Sequence, residues 1–421
     1  MKVLLVNYYY KPMVDAHAYR WAQLSEYWTG KGFEVDVICS KVTDVKSVEN
    51  CCGVNIVRVG FRVANKIQSE VVSSQVNKKF NSNIFDSIKR RLKVGYRKIY
   101  WPDGLWHWGF AAAYELLKKE GKQYDLVVSY APSFSAHLVA LMYKKISKRK
   151  FYWVADYGDP FSTSASMPHN NETLYGWINY LAEASVLKNA DKVCFTSKST
   201  LSDYVFKFGK RNNLEFVPHL VDVDKMYLQG KVVKCEESSV IKLVFIGNFH
   251  AGIREPFLAS RVIKELAAKL YKTRGYTVLF DIYGASNGVD ITSVCDSTIR
   301  WHGPLDRECV HEVMQGAHFL VNIENSNCSM IPSKVVEYVA TGKPLINIAN
   351  TDKDVSELMG RYAEIGKAFI LKDVSCIISD ELLSFIDDNK DSVGISLEVV
   401  NNFLVEYRIE KISDRYLSDI A

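Results

Sequence analysis

Short apolar runs alternate with helical segments along most of the chain, and this alternation restricts the fold more than any other feature. Lys2–Asn7, Glu34–Cys39, Asn55–Gly60, Asp125–Tyr130, Phe151–Tyr157, Lys192–Ser197 and Leu214–Pro218 read as strands, with a helix near Tyr19–Thr29. The runs are continuously apolar rather than alternating, as expected for strands covered by helices on both faces. That is the signature of a parallel, doubly wound sheet. The polar stretch Gly230–Ser239 interrupts the pattern and reads as a linker. A second series follows at Lys242–Gly247, Val278–Gly284, Ile299–Gly303, His318–Glu324, Leu345–Ile348 and Ala368–Leu371. The chain is therefore expected to be α/β, with two Rossmann-like domains over residues 1–225 and 226–396. Ligands of such sheets bind outside the carboxyl ends of the strands, which places the expected site in a central cleft between two facing parallel sheets.

At 421 residues the chain is long enough for two domains, and its 48% hydrophobic and 24% charged residues are those of a globular protein. A net charge of +5 does not call for nucleic acid as a partner. No apolar run approaches the roughly 18 residues of a membrane span. The Val3–Val6 run is too short for a signal-peptide core. The nine cysteines form no Cys-x-x-Cys pair, and Cys39 and Cys194 lie inside strand-like runs, which fits reduced thiols in a cytoplasmic protein and no metal site.

The segment Ile323–Ile348 carries the strongest chemistry. A strand enters a polar loop, Pro332-Ser333-Lys334 opens a helix bearing Glu337, and Gly342-Lys343-Pro344 closes it. A helix start offers N–H groups and a positive dipole end to an anion, and Lys334 adds a charge. Glu337 can accept from sugar hydroxyls, so phosphate and ribose would be bound together, as in a nucleotide. Proline in a first turn and glycine after a last turn are also ordinary helix punctuation. In the same unit, Gly247, Asn248 and Arg254 lie in the loop after the first strand, where glycine lets the backbone approach a diphosphate and arginine can pair with it.

Three loops of the first unit hold further candidates. Asp15 and His17 precede or open the first helix. Asp15 reads equally as a helix cap, and His17 as an acid, a base or a surface residue. His137 stands near a helix start, where a neutral imidazole suits bonding to a hydroxyl; a buried structural histidine fits as well. Asp156 and Asp159 end a strand and are candidates for binding sugar hydroxyls or polarising an acceptor hydroxyl, although Asp-Pro is also a common turn opening. Finally, Lys89, Arg90, Arg91, Lys93, Arg97 and Lys98 form a run without acidic residues, followed by Trp101, Trp106 and Trp108. Basic and aromatic residues together suit an anionic membrane surface. A solvated helix face fits the basic run too.

Glu337-Tyr338-Val339-Ala340 followed by Gly342-Lys343-Pro344 resembles the signature of glycosyltransferase family 4. The likeness extends to Tyr19-Arg20-Trp21, Pro132 with Ser135-Ala136-His137, Asp156 with Asp159-Pro160, Leu187–Asp191, the Gly247 loop and Pro332-Ser333-Lys334. It implies the GT-B fold, with a nucleotide-sugar donor held by the second domain, an acceptor held by the first, and a final helix over 397–421 packing back on the first. It also implies a retaining transfer without metal or other cofactor, from a donor expected to be a UDP-sugar. The family's donor-binding positions correspond to Gly247, Asn248, Arg254, Ser329, Ile331, Pro332, Ser333, Lys334 and the ribose-binding Glu337. His137, Asp156 and Asp159 correspond to catalytic positions, and Asp15 and His17 to the acceptor side.

The chain departs from the family pattern in places. Ser329 stands where many members have a glutamate, Gly158 stands where related sequences have an arginine, and Met13-Val14-Asp15-Ala16 lacks the usual glycines. The resemblance is to the type of bacterial enzyme that assembles O-antigen, capsule or exopolysaccharide. The expected function is transfer to a glycan acceptor on polyprenyl diphosphate, by a cytoplasmic protein peripheral to the inner membrane face. A sugar-nucleotide epimerase of the same fold, or a non-catalytic GT-B partner protein, are the alternatives.

Overall fold

The structure, a computed structural model, describes residues 1–63, 95–96, 99–119, 121–163, 168–227, 239–326, 330, 332–349, 357–371, 378–392 and 394–420. They form two compact units, Met1–Pro218 with Ile412–Ala421, and His219–Lys411.

The first unit contains β1 (Lys2–Asn7), β2 (Glu34–Val42), β3 (Val48–Cys51), β4 (Val54–Val63), β5 (Leu126–Ala131), β6 (Tyr152–Tyr157), β7 (Lys192–Phe195) and β8 (Leu214–Phe216). They form one sheet in the order β3-β4-β2-β1-β5-β6-β7-β8. Every pairing is parallel except β3 with β4. Val3, Leu4, Leu5 and Val6 are all fully buried, so both faces of β1 are covered, which is why the run carries no alternation. The β3 hairpin was not expected. Two of its four residues are exposed, two are half-buried, and they form no apolar run. Its turn rests on the left-handed pair Cys52 (φ 54°) and Gly53 (φ 81°), the backbone a tight hairpin needs.

The second unit contains β9 (Val240–Ile246), β10 (Thr277–Tyr283), β11 (Ile299–Gly303), β12 (Phe319–Ile323), β13 (Leu345–Ile348) and β14 (Ala368–Leu371), all parallel, in the order β11-β10-β9-β12-β13-β14. Each sheet has one point where the winding reverses: between β1 and β5, and between β9 and β12. Such switch points are where doubly wound sheets open a crevice at the strand carboxyl ends.

The chain enters the second unit at His219, earlier than residue 226. Val221 donates its N–H to the Tyr407 carbonyl at 2.9 Å, and Val223 joins the core beside Tyr338 and Val400. The Gly230–Ser239 linker lies outside the described residues except for Ser239. The expected single final helix is instead two short helices, Leu397–Phe403 and Ile409–Leu417. The former packs in the second unit, with Phe403 edge-on to Tyr362, and only Ile412–Ala421 belongs to the first.

That segment is held by buried polar contacts. Arg20 donates to the Tyr416 hydroxyl at 2.6 Å and to the Pro218 carbonyl at 2.8 Å. Tyr416 in turn donates to Asp156 Oδ2 at 2.9 Å, and Trp28 Nε1 donates to Ser413 Oγ at 2.8 Å. Among the described residues no helix is long and apolar enough to cross a membrane.

Candidate functional site

In the second unit the residues converge on the β9–β12 switch point. The helix Lys334–Ala340 is tied there by Tyr338, whose hydroxyl accepts from Ile246 N–H at 2.8 Å and donates to the Ile246 carbonyl at 3.1 Å. Glu337 therefore precedes the tether on one side and Gly247 follows it on the other. Gly247 lies against β10: a Cβ on Gly284 would fall 2.0 Å from the Gly247 carbonyl oxygen, and Gly284 has φ 136°, so only glycine fits. A Cβ on Gly247 itself would lie 3.3 Å from Arg254 Nη1, which places that guanidinium beside the loop backbone. Asn248 accepts from Ala285 N–H at 2.9 Å and braces the loop.

Glu337 is clasped from two sides. Lys334 Nζ lies 2.5 Å from Oε2 and Arg307 Nη1 lies 3.1 Å from Oε1. Burial would raise the Glu337 carboxyl, but Lys334 and Arg307 outweigh it and hold the group below its ordinary value. Burial lowers the Lys334 ammonium, partly offset by Glu337. The helix start offers fewer open N–H groups than the sequence suggested. Val335 and Val336 donate back to the Pro332 and Ser333 carbonyls at 3.2 and 3.3 Å, and the Ser333 side chain caps nothing. The cations gathered at this helix start are Lys334 and Arg307, both paired with Glu337. Ser329 and Ile331 lie outside the described residues.

In the first unit the residues gather at the β1–β5 switch point. Asp15 caps the helix Ala16–Gly30, accepting from His17 N–H at 2.8 Å. His17 Nδ1 lies 2.7 Å from the Tyr130 hydroxyl at the end of β5, and Nε2 lies 3.6 Å from Asp159 Oδ2 beyond β6. His17 and Asp159 keep 20% and 26% side-chain exposure, enough to meet a ligand.

Two residues read as catalytic are interior. His137 is fully buried, tilted at 46° to the Tyr157 ring with centroids 4.4 Å apart, and the hydroxyl it meets is that of Ser129, 2.8 Å from Nδ1. Burial lowers its pKa to about 3, so it stays neutral. Asp156 is also fully buried, and its partners are Tyr416 and Arg20, the latter at 3.6 Å. Burial raises its carboxyl and Arg20 pulls it back. Both residues are part of the packing that holds the first unit together, and Asp159 is the carboxylate left facing outward.

The basic run Lys89, Arg90, Arg91, Lys93, Arg97 and Lys98 lies outside the described residues. Trp108 is buried, packed edge-on to Tyr8 at 5.4 Å, and so faces no surface. Trp106 is half-exposed, its indole N–H donating to Tyr96 at 2.5 Å. Among the described residues no group of three or more His, Cys, Asp or Glu side chains is disposed to hold a metal ion.

Sequence reasoning gave no role to Tyr130, Arg307 or the Tyr338 hydroxyl. Tyr130 carried one signal, a polar aromatic near the carboxyl end of a mostly apolar strand. Arg307 carried almost none, since an arginine in a first helical turn is unremarkable until its partner is known.

No protein-family model matches the chain, and no curated protein matches it in sequence. Solved structures do match in fold. Sucrose-phosphate synthase from Thermosynechococcus elongatus is similar over 99% of this chain and 97% of its own, at 13% identity and TM-score 0.66. HepE of Anabaena, solved in complex with UDP-glucose, is similar over 99% and 98%, at 11% identity and TM-score 0.59. WaaG, a glycosyltransferase involved in lipopolysaccharide biosynthesis, is similar over 98% and 99%, at 12% identity and TM-score 0.56. The fold is GT-B.

Proposed function

We propose that the chain is a retaining glycosyltransferase of the family 4 type, transferring a sugar from a UDP-sugar to a glycan acceptor. The observation that carries this reading is Glu337 held between Lys334 and Arg307 beside the Gly247 loop. A ribose diol needs a carboxylate acceptor, and a diphosphate needs cations nearby; here the carboxylate and the cations are one cluster. On donor binding, Lys334 turns from Glu337 to the diphosphate and frees Oε2 for a ribose hydroxyl. Lys334 and Arg254 then meet the charge that develops on the leaving diphosphate, the role a metal plays in other transferases, so the reaction runs without one. The acceptor oxygen bonds to the anomeric carbon on the same face from which the diphosphate leaves, so the anomeric configuration is retained. The bond from that carbon to the β-phosphate oxygen breaks, and its electron pair leaves with UDP. Asp159 takes the acceptor hydroxyl proton.

UDP is favoured over GDP by the UDP-glucose complex of a protein of the same fold. The acceptor we assign is a saccharide on polyprenyl diphosphate in bacterial surface polysaccharide assembly, with the protein peripheral on the cytoplasmic face of the inner membrane. The likeness to a lipopolysaccharide-pathway enzyme supports that setting, as does an apolar surface stripe on the helix Trp106–Lys118.

A thermal-shift screen of nucleoside diphosphate sugars tests the donor reading. A specific donor at about 100 times its Kd adds roughly 2.7 kcal/mol to folded-state stability. One UDP-sugar is expected to raise the melting temperature and to remain intact, beyond slow hydrolysis, without acceptor. Stabilisation by no sugar nucleotide would remove the reading, and conversion to an isomeric sugar nucleotide without acceptor would replace it with epimerisation.

A further inference from the structure

The β1–β5 switch point holds an arrangement that the donor site does not use. Tyr130 is fully buried, and burial together with Asp156 raises its phenol well above the ordinary value, so the hydroxyl keeps its proton. That hydroxyl lies 2.7 Å from His17 Nδ1. On the far side of the imidazole, Asp159 presents a carboxylate oxygen 3.6 Å from Nε2. A carboxylate facing Nε2 favours a proton there. Nδ1 then carries the lone pair, and the group in contact with it is a hydroxyl with a proton to give. Both neighbours therefore select the same tautomer.

The path of Tyr130 to His17 depends on Gly158. A Cβ at that position would lie 2.0 Å from the Tyr130 hydroxyl oxygen and 2.6 Å from Cζ. In this chain the position is a glycine, and the space is taken by a tyrosine from the neighbouring strand.

The 3.6 Å separation of Nε2 and Oδ2 is too long for a hydrogen bond. A hydroxyl oxygen seated between them at the usual distance of about 2.8 Å can accept from Nε2–H and donate to the carboxylate once the pair parts by about 1 Å. Each partner supplies what the other cannot, since the imidazole donates and the carboxylate accepts.

We propose that His17 and Asp159 form a clamp for one hydroxyl of a saccharide acceptor, and that Tyr130 is a positioning residue that holds His17 in the Nε2–H tautomer. This deepens the transferase reading and rests on it for the identity of the ligand, but the clamp geometry belongs to the first unit alone.

The test uses the full chain with 15N-labelled histidine, followed by long-range 1H–15N correlation spectra, with His17→Asn assigning the signal. Wild-type His17 is expected as the Nε2–H tautomer at pH values where it is neutral. Tyr130→Phe keeps the ring and removes the hydroxyl, and is expected to shift the Nδ1 resonance toward mixed tautomers. Should that variant not fold, Asp159→Asn removes the anionic partner at constant shape and is expected to weaken the Nε2–H preference. An Nδ1–H tautomer in the wild type, or spectra indifferent to these changes, would overturn the clamp.

With a donor in hand, Tyr130→Phe is expected to lower kcat/KM for the acceptor at least tenfold while donor Kd stays constant. An unchanged kcat/KM for the acceptor would also overturn the clamp. A protein that binds no sugar nucleotide at all, yet shows the expected tautomer, would remove the transferase reading and leave the His17–Asp159 geometry standing.

Discussion

Glu183 shows what burial does to a single residue in this molecule. Its side chain is fully buried, accepting from the Tyr204 hydroxyl at 2.5 Å and from Ser162 N–H at 3.2 Å. Burial raises its pKa from 4.5 to about 7, against the pull of those donors and of Lys207. A carboxyl with a raised folded-state pKa stabilises the fold fully below its unfolded value, and that contribution is lost as pH rises through the folded one. The window is therefore about pH 4.5 to 7, and the shift corresponds to roughly 3 kcal/mol. Glu183→Gln cannot ionise, so its melting temperature should fall less than that of the wild type between pH 5 and pH 8. Parallel profiles would show that Glu183 is not held in its neutral form. His137 acts with the opposite sign. Its pKa is depressed from 6.5 to about 3, so its contribution is present above pH 6.5 and lost on acidification. The sequence singled out His137 from its place near a helix start and gave Glu183 no role. Burial decides both cases, and burial depends on contacts far along the chain.

Among the elements, the helix Trp106–Lys118 has two distinct faces. Trp108, Ala112 and Leu116 are buried, whereas Phe110, Tyr114 and Leu117, at the i, i+4 and i+7 spacing, are 71%, 65% and 41% exposed. Phe110 meets Trp106 edge-on at 5.8 Å, and Lys118 Nζ sits 4.4 Å above the Tyr114 ring. An aromatic stripe edged by a lysine suits the headgroup layer of an anionic membrane. The paired substitution Phe110→Ser and Tyr114→Ser is expected to cut binding to anionic vesicles at low salt several-fold in a flotation assay. A wild-type protein that ignores such vesicles, or a variant that binds equally well, would end the docking proposal. Strands were legible because parallel strands buried on both faces leave apolar runs without alternation, as Val3–Val6 and Leu126–Val128 do. The β3 hairpin left no such run. The Lys334–Ala340 helix was legible from its punctuation, but the back-bonding of its first turn was not. The closing segment read as one helix because its apolar residues are spread over two, Leu397–Phe403 and Ile409–Leu417, which bury against different cores.

At the scale of the whole molecule, the proposed chemistry is divided between the two units. The second gathers Gly247, Arg254, Arg307, Lys334 and Glu337 at its switch point, and the first gathers Asp15, His17, Tyr130 and Asp159 at its own. The C-terminal segment completes the first unit through the buried Arg20–Tyr416–Asp156 network. Breaking one partner of a buried charged pair costs about 3–5 kcal/mol, so loss of any of those residues should destabilise the fold. The central assignment is that Lys334 and Glu337 bind the diphosphate and the ribose of a sugar nucleotide. Calorimetric titration of UDP, and of the UDP-sugar selected by thermal shift, into the wild type, Lys334→Ala and Glu337→Ala tests it most directly. The wild type should bind saturably, and each variant should lose at least tenfold in affinity, about 1.4 kcal/mol or more. Binding by both variants that is indistinguishable from the wild type would contradict the assignment.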